Sequence, residues 1–481
     1  MEKSKMSNKT FLVLFWILLM MAPTVWAAER YEISPQEFEK YKKGIEDPSP
    51  WYKNTEGLKK IIPPATYKKL TFDVEVMKNT WTEVVGFRAP DVVGKVAPEI
   101  KPGKYTYKDK SQFPFEKLMW KHMYDQFNPT PTSGRRHVGN FTEIEIVPTR
   151  QYYYPLPVAE ATKKYMGTAK QDDQGYLIQK SYVAGHPFPR PEGKFKAQQI
   201  LYSFEKHYMW WDSHYYFEHD YGFTGDLRQD FDALGHSFWM RTQGRLLSEP
   251  LGWLDKRAEE QGEYKAFLWW NLSPRDLFGN TLSTTWYIDP ERPDLYMLYI
   301  NSLRRVRRLS SSDTQDPALG TDQIYDDFNG WNQKMSPNKY PNKYEVIGEG
   351  EFLAPLTWDG SPYMSVKEGH ILKNLQFERR PMWVVQVTSL DKSYVYSKRV
   401  VYLDKETLLP WFSEAYDQKG RLYRTFSTVY SFVPEMGLYC QWMNIALDHL
   451  DTHSTAWLGY AIPAPWVTRN DISLSGLVKS K

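Results

Sequence analysis

The chain has one cysteine, Cys440, among 481 residues. A lone thiol cannot close an intramolecular disulfide, so no staple of that kind holds the fold. Cys440 reads as a small buried residue and not as a nucleophile. Long hydrophobic runs are missing too. The N-terminal apolar stretch 11–21 falls short of the roughly 20 residues that span a bilayer, and no later segment resembles a transmembrane helix. Excess charge of one sign is also lacking. The net charge is +3, and Lys3, Lys5 and Lys9 against Glu2 account for +2 of it, leaving +1 beyond residue 27. So nearly neutral a chain has no global electrostatic reason to bind nucleic acid or an anionic membrane. Gly-x-Ser-x-Gly, a P-loop, Gly-x-Gly-x-x-Gly and His-Glu-x-x-His are all missing. The chain is therefore expected not to be an enzyme and to need no cofactor or metal. A glycosidase needs only two carboxyls about 5–9.5 Å apart in a cleft, which 58 acidic residues leave open.

What is present is aromatic. Tyr (34), Phe (24) and Trp (19) make 16% of the chain, and Tyr outnumbers Gly (28). Such rings favour strands and bury large areas while keeping a polar tip. They suit a β-rich fold, or a cavity for an apolar or amphipathic ligand. The N-terminus has the layout of a secretory signal: a basic head, the apolar run 11–21, and small residues before a cut ahead of Ala28. The expectation is an exported periplasmic protein; an uncleaved membrane anchor is the alternative.

Three regions follow: the signal (1–27), an N-terminal helical and irregular wrapping segment (28–135), and a β domain (136–481). Ser34-Pro35-Gln36-Glu37 is a capping box opening a helix to about Ile45. Further helices are expected near 55–70, 115–126, 156–166, 194–211 and 321–331. Strand-like runs occupy 236–247, 263–272, 281–288, 295–309, 343–354, 381–389, 394–403, 408–417, 421–432, 438–449 and 454–462. Their short polar links predict an antiparallel meander. Several runs are apolar on both sides. Tyr296, Leu298 and Ile300 oppose Leu295, Met297 and Tyr299, while Trp383 and Val385 oppose Met382 and Val384. Both sheet faces are therefore expected to be covered, one by helices and the other by a wrapping segment or a ligand. Tyr296, Leu298, Ile300, Trp383 and Val385 are candidate lining of a pocket of several hundred Å³.

Two polar clusters stand out. Arg304, Arg305, Arg307 and Arg308 close an apolar run, and strict alternation would put Arg304 and Arg308 on one face. They either pair with Asp326 and Asp327 or bind an acidic head group or a partner's acidic patch. The segment from His207 to Asp220 holds His207, His214 and His219 among aromatics and carboxylates. A zinc site, a membrane- or ligand-facing aromatic loop and plain core are its three readings.

Three stretches together resemble a bacterial family catalogued as domain of unknown function 1329. They are Gly185-His186-Pro187-Phe188-Pro189; Leu303–Arg308 with Asp326-Asp327-Phe328-Asn329 and Tyr344–Gly348; and Arg380–Val385 with Tyr396–Asp404 and Tyr416–Leu422. The resemblance implies a fold similar to the outer-membrane lipoprotein-sorting LolA/LolB proteins. That fold is mainly β (α+β): a strongly curved antiparallel half-barrel with packing helices around an apolar cavity. It implies a periplasmic carrier of a hydrophobic, lipid-like ligand. It also implies partnership with a resistance-nodulation-division (RND) exporter and an outer-membrane β-barrel. A scaffold without ligand and a secreted hydrolase are the rivals.

Overall fold

The computed structural model describes residues 30–31, 54–129, 139–208, 211–309, 315–318, 321–357, 363–365 and 371–474. The signal-like segment and the helix expected after Ser34 lie outside these residues. Most of the chain serves one 15-stranded sheet. Its strands are β1 (Gly103–Thr106), β2 (Glu143–Ile146), β3 (Ser213–Phe223), β4 (Gln229–Arg241), β5 (Glu263–Ser273), β6 (Thr281–Tyr287), β7 (Leu295–Ile300), β8 (Arg305–Leu309), β9 (Asn342–Thr357), β10 (Gln376–Ser389), β11 (Lys398–Asp404), β12 (Pro410–Tyr416), β13 (Leu422–Val433), β14 (Leu438–Asp448) and β15 (Ser454–Pro463). The path runs β1-β2-β10-β11-β12-β13-β14-β15-β3-β4-β5-β6-β7-β8. Neighbours are antiparallel apart from two short parallel contacts. One joins β10 to β2 at Gln376 and Phe377, the other β9 to β13 at Leu356 and Thr357.

Curvature follows from the pairing itself. β9 bonds along β10 and its last residues also reach β13, three strands further along the path. A flat sheet cannot do this, so β9 to β13 curl into a closed ring and the remaining strands extend from it.

Each long strand feeds two cores from alternate residues. On β5, Ala266 and Leu268 join the main core while Phe267 and Trp269 join a second cluster. Helices cover the first face. The longest among the described residues, Val74–Val85, is capped by Asp73, whose carboxylate accepts from Val76 N–H at 2.9 Å, and it stops at Gly86 (φ 89°). Its buried stripe is Met77, Trp81, Val84 and Val85, and Trp81 donates to the Glu406 carbonyl at 2.9 Å. Residues 321–334 lie as a strap over the second face. Ile324 packs in one cluster with Tyr396, Phe426 and Trp457, and Tyr325 in another with Trp286 and Tyr296.

Several expectations need correction. The run 295–309 is not one strand: Ile300 to Arg305 turn back, making β7 and β8 a hairpin. The helix expected over 321–331 is a 3₁₀ segment, Tyr325–Gly330, broken at Phe328 (ψ 133°) and Asn329 (φ 56°). Of the three readings of the His207–Asp220 segment the loop fails: 213–223 is a central strand joining β15 to β4, with His214, His219 and Asp220 buried. His214 and His219 consequently emerge on opposite faces.

Buried ions tie the strap down. Asp327 pairs with Arg399 and accepts from Tyr396 Oη at 2.9 Å; Asp326 accepts from Tyr394 Oη at 2.8 Å. At the strap's start, His453 bridges Asp322 (2.7 Å) and Asp230 (3.1 Å). The hydrogen bond to Asp322 does most to raise His453 to about 9, against the lowering effect of burial, and the charges of both carboxylates add to it. A folded-state pKa above the ordinary 6.5 means that this bridge stabilises fully below pH 6.5 and is lost as pH rises through about 9. Amide exchange at 321–324 is expected to quicken over that window in the wild type and to be flat with pH in His453→Asn, after correction for intrinsic exchange. Equal pH dependence in both would remove His453 from the account.

Candidate functional site

The sequence-predicted site residues do not meet. Tyr296 is buried in the second-face cluster, with its ring 6.4 Å from Trp286 and 5.4 Å from Tyr325. Leu298 and Ile300 are half-buried on the same side of β7, opposite Arg307 and Arg305. Trp383 and Val385 belong to the main core at the ring end of the sheet, far along the strand path from β7. Arg304 sits in the hairpin turn at φ 49°, and Arg308 is exposed on the terminal strand β8. Because the chain turns before β8, Arg305 and Arg307 share a face and Arg308 takes the other. Among the described residues none of these arginines has an ion-pair partner; Asp326 and Asp327 are engaged by Tyr394, Tyr396 and Arg399 instead. Arg304→Ala should accordingly change stability by less than about 0.5 kcal/mol, readable in a denaturant titration.

A different constellation forms where the helix Lys196–Glu205 ends against β4, β5, β6 and the strap. Two adjoining cavities of about 60 Å³ and about 30 Å³ share Glu205, His207, Tyr264, Lys265 and Asn329 as lining. Trp239 stacks at 5.6 Å on Trp286 and packs 4.4 Å from Phe267, so one wall continues into the second-face cluster. A larger space of about 250 Å³ lies between Gln333, Asn342, Ser389 and Tyr394, with polar and apolar surface in about equal share.

Arg241 and Lys265 are directly opposite each other across β4 and β5. The Arg241 guanidinium lies 3.8 Å from the Tyr208 ring centre and donates to the His207 carbonyl at 2.5 Å. Its other terminal nitrogen, Nη1, is buried and finds no acceptor among the described residues. The Lys265 ammonium is 4.7 Å from the Trp286 ring centre and 5.6 Å from that of Tyr264, with Asn332 Oδ1 at 3.4 Å. Burial lowers Lys265 to about 8 and pushes His207 and His214 well below 6.5, so near neutrality both histidines are uncharged and the two cations remain. Of the chamber's carboxylates, Glu205 pairs with Lys206 at 3.0 Å, and Asp212 Oδ2 accepts from Leu246, Leu247 and Ser248 N–H while its Oδ1 is buried with no partner among the described residues.

Sequence reasoning passed over Arg241 and Lys265. The available signal was a cation at an inward position of two aromatic strands, Trp239-Met240-Arg241 and Tyr264-Lys265-Ala266.

The fold is thus a large curved sheet with helices on one face and a strap on the other. Residues 136–466 match the family described as protein of unknown function, DUF1329, and the chain belongs to that family. It is 30% identical over 166 residues to the uncharacterized protein PA3922 of Pseudomonas aeruginosa, a match covering 32% of this chain and 35% of that one. The chain therefore spans about a third of the length of that curated relative. Among solved structures it is similar to a DUF1329 family protein from Desulfovibrio piger (15% identity, TM-score 0.40, 55% of this chain and 91% of that one). It is also similar to a Vibrio parahaemolyticus structure named as an outer membrane lipoprotein-sorting protein domain (18%, 0.37, 55% and 91%). A third is a LolA superfamily protein from Nitrosomonas europaea (12%, 0.34, 56% and 93%). Among the described residues no helix is long and apolar enough to cross a membrane.

Proposed function

We propose that this protein is an exported, periplasmic carrier that binds a hydrophobic or amphipathic molecule and passes it toward the outer membrane. An RND-type exporter and an outer-membrane β-barrel are the partners that the family resemblance suggests. The observation that carries the reading is the second-face aromatic cluster. It is separate from the main core, and it ends in a chamber with charged groups at its wall. Aromatic walls with a few convergent polar groups are the usual make-up of small-molecule sites.

The chamber's volume limits what enters this state. About 60 Å³ and 30 Å³ are below the 300–1,000 Å³ of sites for drug-sized molecules. A head group fits; an apolar tail needs the strap to yield its place against Trp286 and Tyr296. Buried apolar area would then supply affinity at roughly 25 cal/mol per Å². The strap's cover of that face also favours a second reading, a scaffold with no ligand of its own.

Incubation with phospholipid vesicles followed by flotation separates the two readings. A carrier leaves vesicle-free protein bearing lipid in the dense fraction, and a scaffold leaves it bare. Processing is a separate expectation: the exported protein should begin at Ala28 by N-terminal sequencing, and full-length chain held firmly in the inner membrane would count against a soluble carrier.

A further inference from the structure

We infer that Arg241 and Lys265 form a subsite for a carboxylate or phosphate group, the acidic head of an amphipathic ligand whose tail lies on the Trp239–Phe267–Trp286 wall. The inference rests on the carrier reading for its tail, and on the chamber alone for its anion.

The argument begins with the pairing. Residues directly opposite on antiparallel strands hold their side chains about 5 Å apart at Cβ, and like charges there repel. Arg241 and Lys265 occupy such a pair, and both help to line the same chamber. A surface pair would be screened by water and salt; this one is largely buried, so repulsion is felt more strongly. Nothing in the chamber cancels it by direct contact. Among the described residues neither cation has a carboxylate at ion-pair distance: Glu205 is paired with Lys206, and Asp212 is held through Oδ2 by backbone N–H groups, its unpartnered Oδ1 acting on Arg241 only from beyond contact distance. Ring faces take the place of counterions, with Tyr208 against Arg241 and Trp286 against Lys265. Such contacts hold a cation in position while leaving its N–H donors available. The buried Arg241 Nη1, with no acceptor, is the donor most in need of one. An oxyanion between the two strands would accept from Arg241 Nη1 and Lys265 Nζ together and turn the repulsive pair into two attractive ones.

The walls give the rest of the ligand its character. Tyr208 and Tyr264 have their hydroxyls occupied by the carbonyls of Gly244 and Glu205, so they offer rings and not donors. An acyl or isoprenoid chain would find apolar surface continuous with Phe267 and Trp286. Asn329, with its left-handed φ of 56°, lines both cavities at the strap's break, which puts the strap's least regular point at the chamber.

The test uses the full mature chain and three probes in titration calorimetry: palmitate or lysophosphatidate as anionic amphiphile, monopalmitin as neutral amphiphile, and inorganic phosphate alone. Lys265→Met keeps the stem and removes the charge; it should melt at or above the wild-type temperature, because an unpaired buried cation is gone. It is expected to weaken the anionic amphiphile by at least about tenfold, leave monopalmitin unchanged, and be rescued by Lys265→Arg. Equal binding of both amphiphiles by wild type and Lys265→Met would overturn the subsite and leave the carrier standing. Phosphate that binds as tightly as lysophosphatidate and is lost in Lys265→Met would keep the anion site and remove the lipid tail from it. Binding of no probe by the wild type would overturn both.

Discussion

Arg380→Met should destabilise the protein by about 3–5 kcal/mol, because it strands buried carboxylates. Arg380 is fully buried. It donates to Asp404 at 2.5 Å, to Glu406 at 2.7 Å and to the Arg150 carbonyl at 2.9 Å, and its guanidinium lies 4.8 Å from the Tyr152 ring centre. Asp404 and Glu406 are themselves fully buried and serve as the hub of the ring. Asp404 accepts from Glu406 and Thr407 N–H and thereby shapes the β11–β12 turn. Glu406 accepts from Ala89 and Tyr152 N–H and ties that turn to the helical layer. With the cation gone, the pair must draw in water or, at Glu406, which burial already raises to about 7, take up a proton. The loss should shrink in acid, where protonation removes the stranded charge. Denaturant titration reads it, with Glu406→Gln added to recover part. A loss below about 1 kcal/mol would mean that water already reaches this cluster.

Asp327→Ala should have an effect of similar size on a different part. It leaves Arg399 without its carboxylate and removes the acceptor of Tyr396 Oη and of Ile324 N–H. Arg424, 3.9 Å away, loses a second negative neighbour. Arg399 also donates to Gly330 O at 2.9 Å, so the strap is clamped at both Asp327 and Gly330. Breaking a buried pair by removing one partner typically costs about 3–5 kcal/mol. The loss should appear first as local opening, with faster amide exchange at 321–334 and little change in the ring strands β10 to β12. If the strap roofs the ligand site, this variant should also take up amphiphile faster than wild type. Unchanged exchange at 321–334 would show that the apolar contacts of Ile324 and Tyr325 hold the strap without the ions.

These two clusters show what was legible in the sequence. The stretches that carry the family resemblance supply Arg380 with Asp404, and Asp327 with Arg399. The motif residues were found, but their partners were not. Asp326 and Asp327 were set against Arg304–Arg308 because those are near in sequence. The true partners Tyr394, Tyr396 and Arg399 lie about 70 residues on, brought close by sheet order. Period-two alternation identified most strands of the ring, where short turns such as Asp417–Gly420 make register a local matter. Alternation failed at 295–309, where both strands of a hairpin are rich in apolar or basic residues and the turn Asn301–Arg304 carries no Gly or Pro. It also failed at 213–223. His, Glu and Asp among aromatics leave zinc site, loop and core open, while the structure buries His214, His219 and Asp220 in a central strand. The chamber was illegible for a related reason. Arg241 and Lys265 are 24 residues apart and meet only through the β4–β5 register. Neither flanks a motif, and a single cation in an aromatic strand more often stands at an edge.

The central claim is that the second face of the sheet takes a ligand. Mass spectrometry of organic extracts from protein purified natively, without detergent, tests it most directly. The account predicts an apolar molecule with an acidic head at near one per chain, reduced in Lys265→Met. Extracts with no such molecule, from protein that also leaves vesicles bare of lipid, would contradict it and leave the scaffold reading in its place.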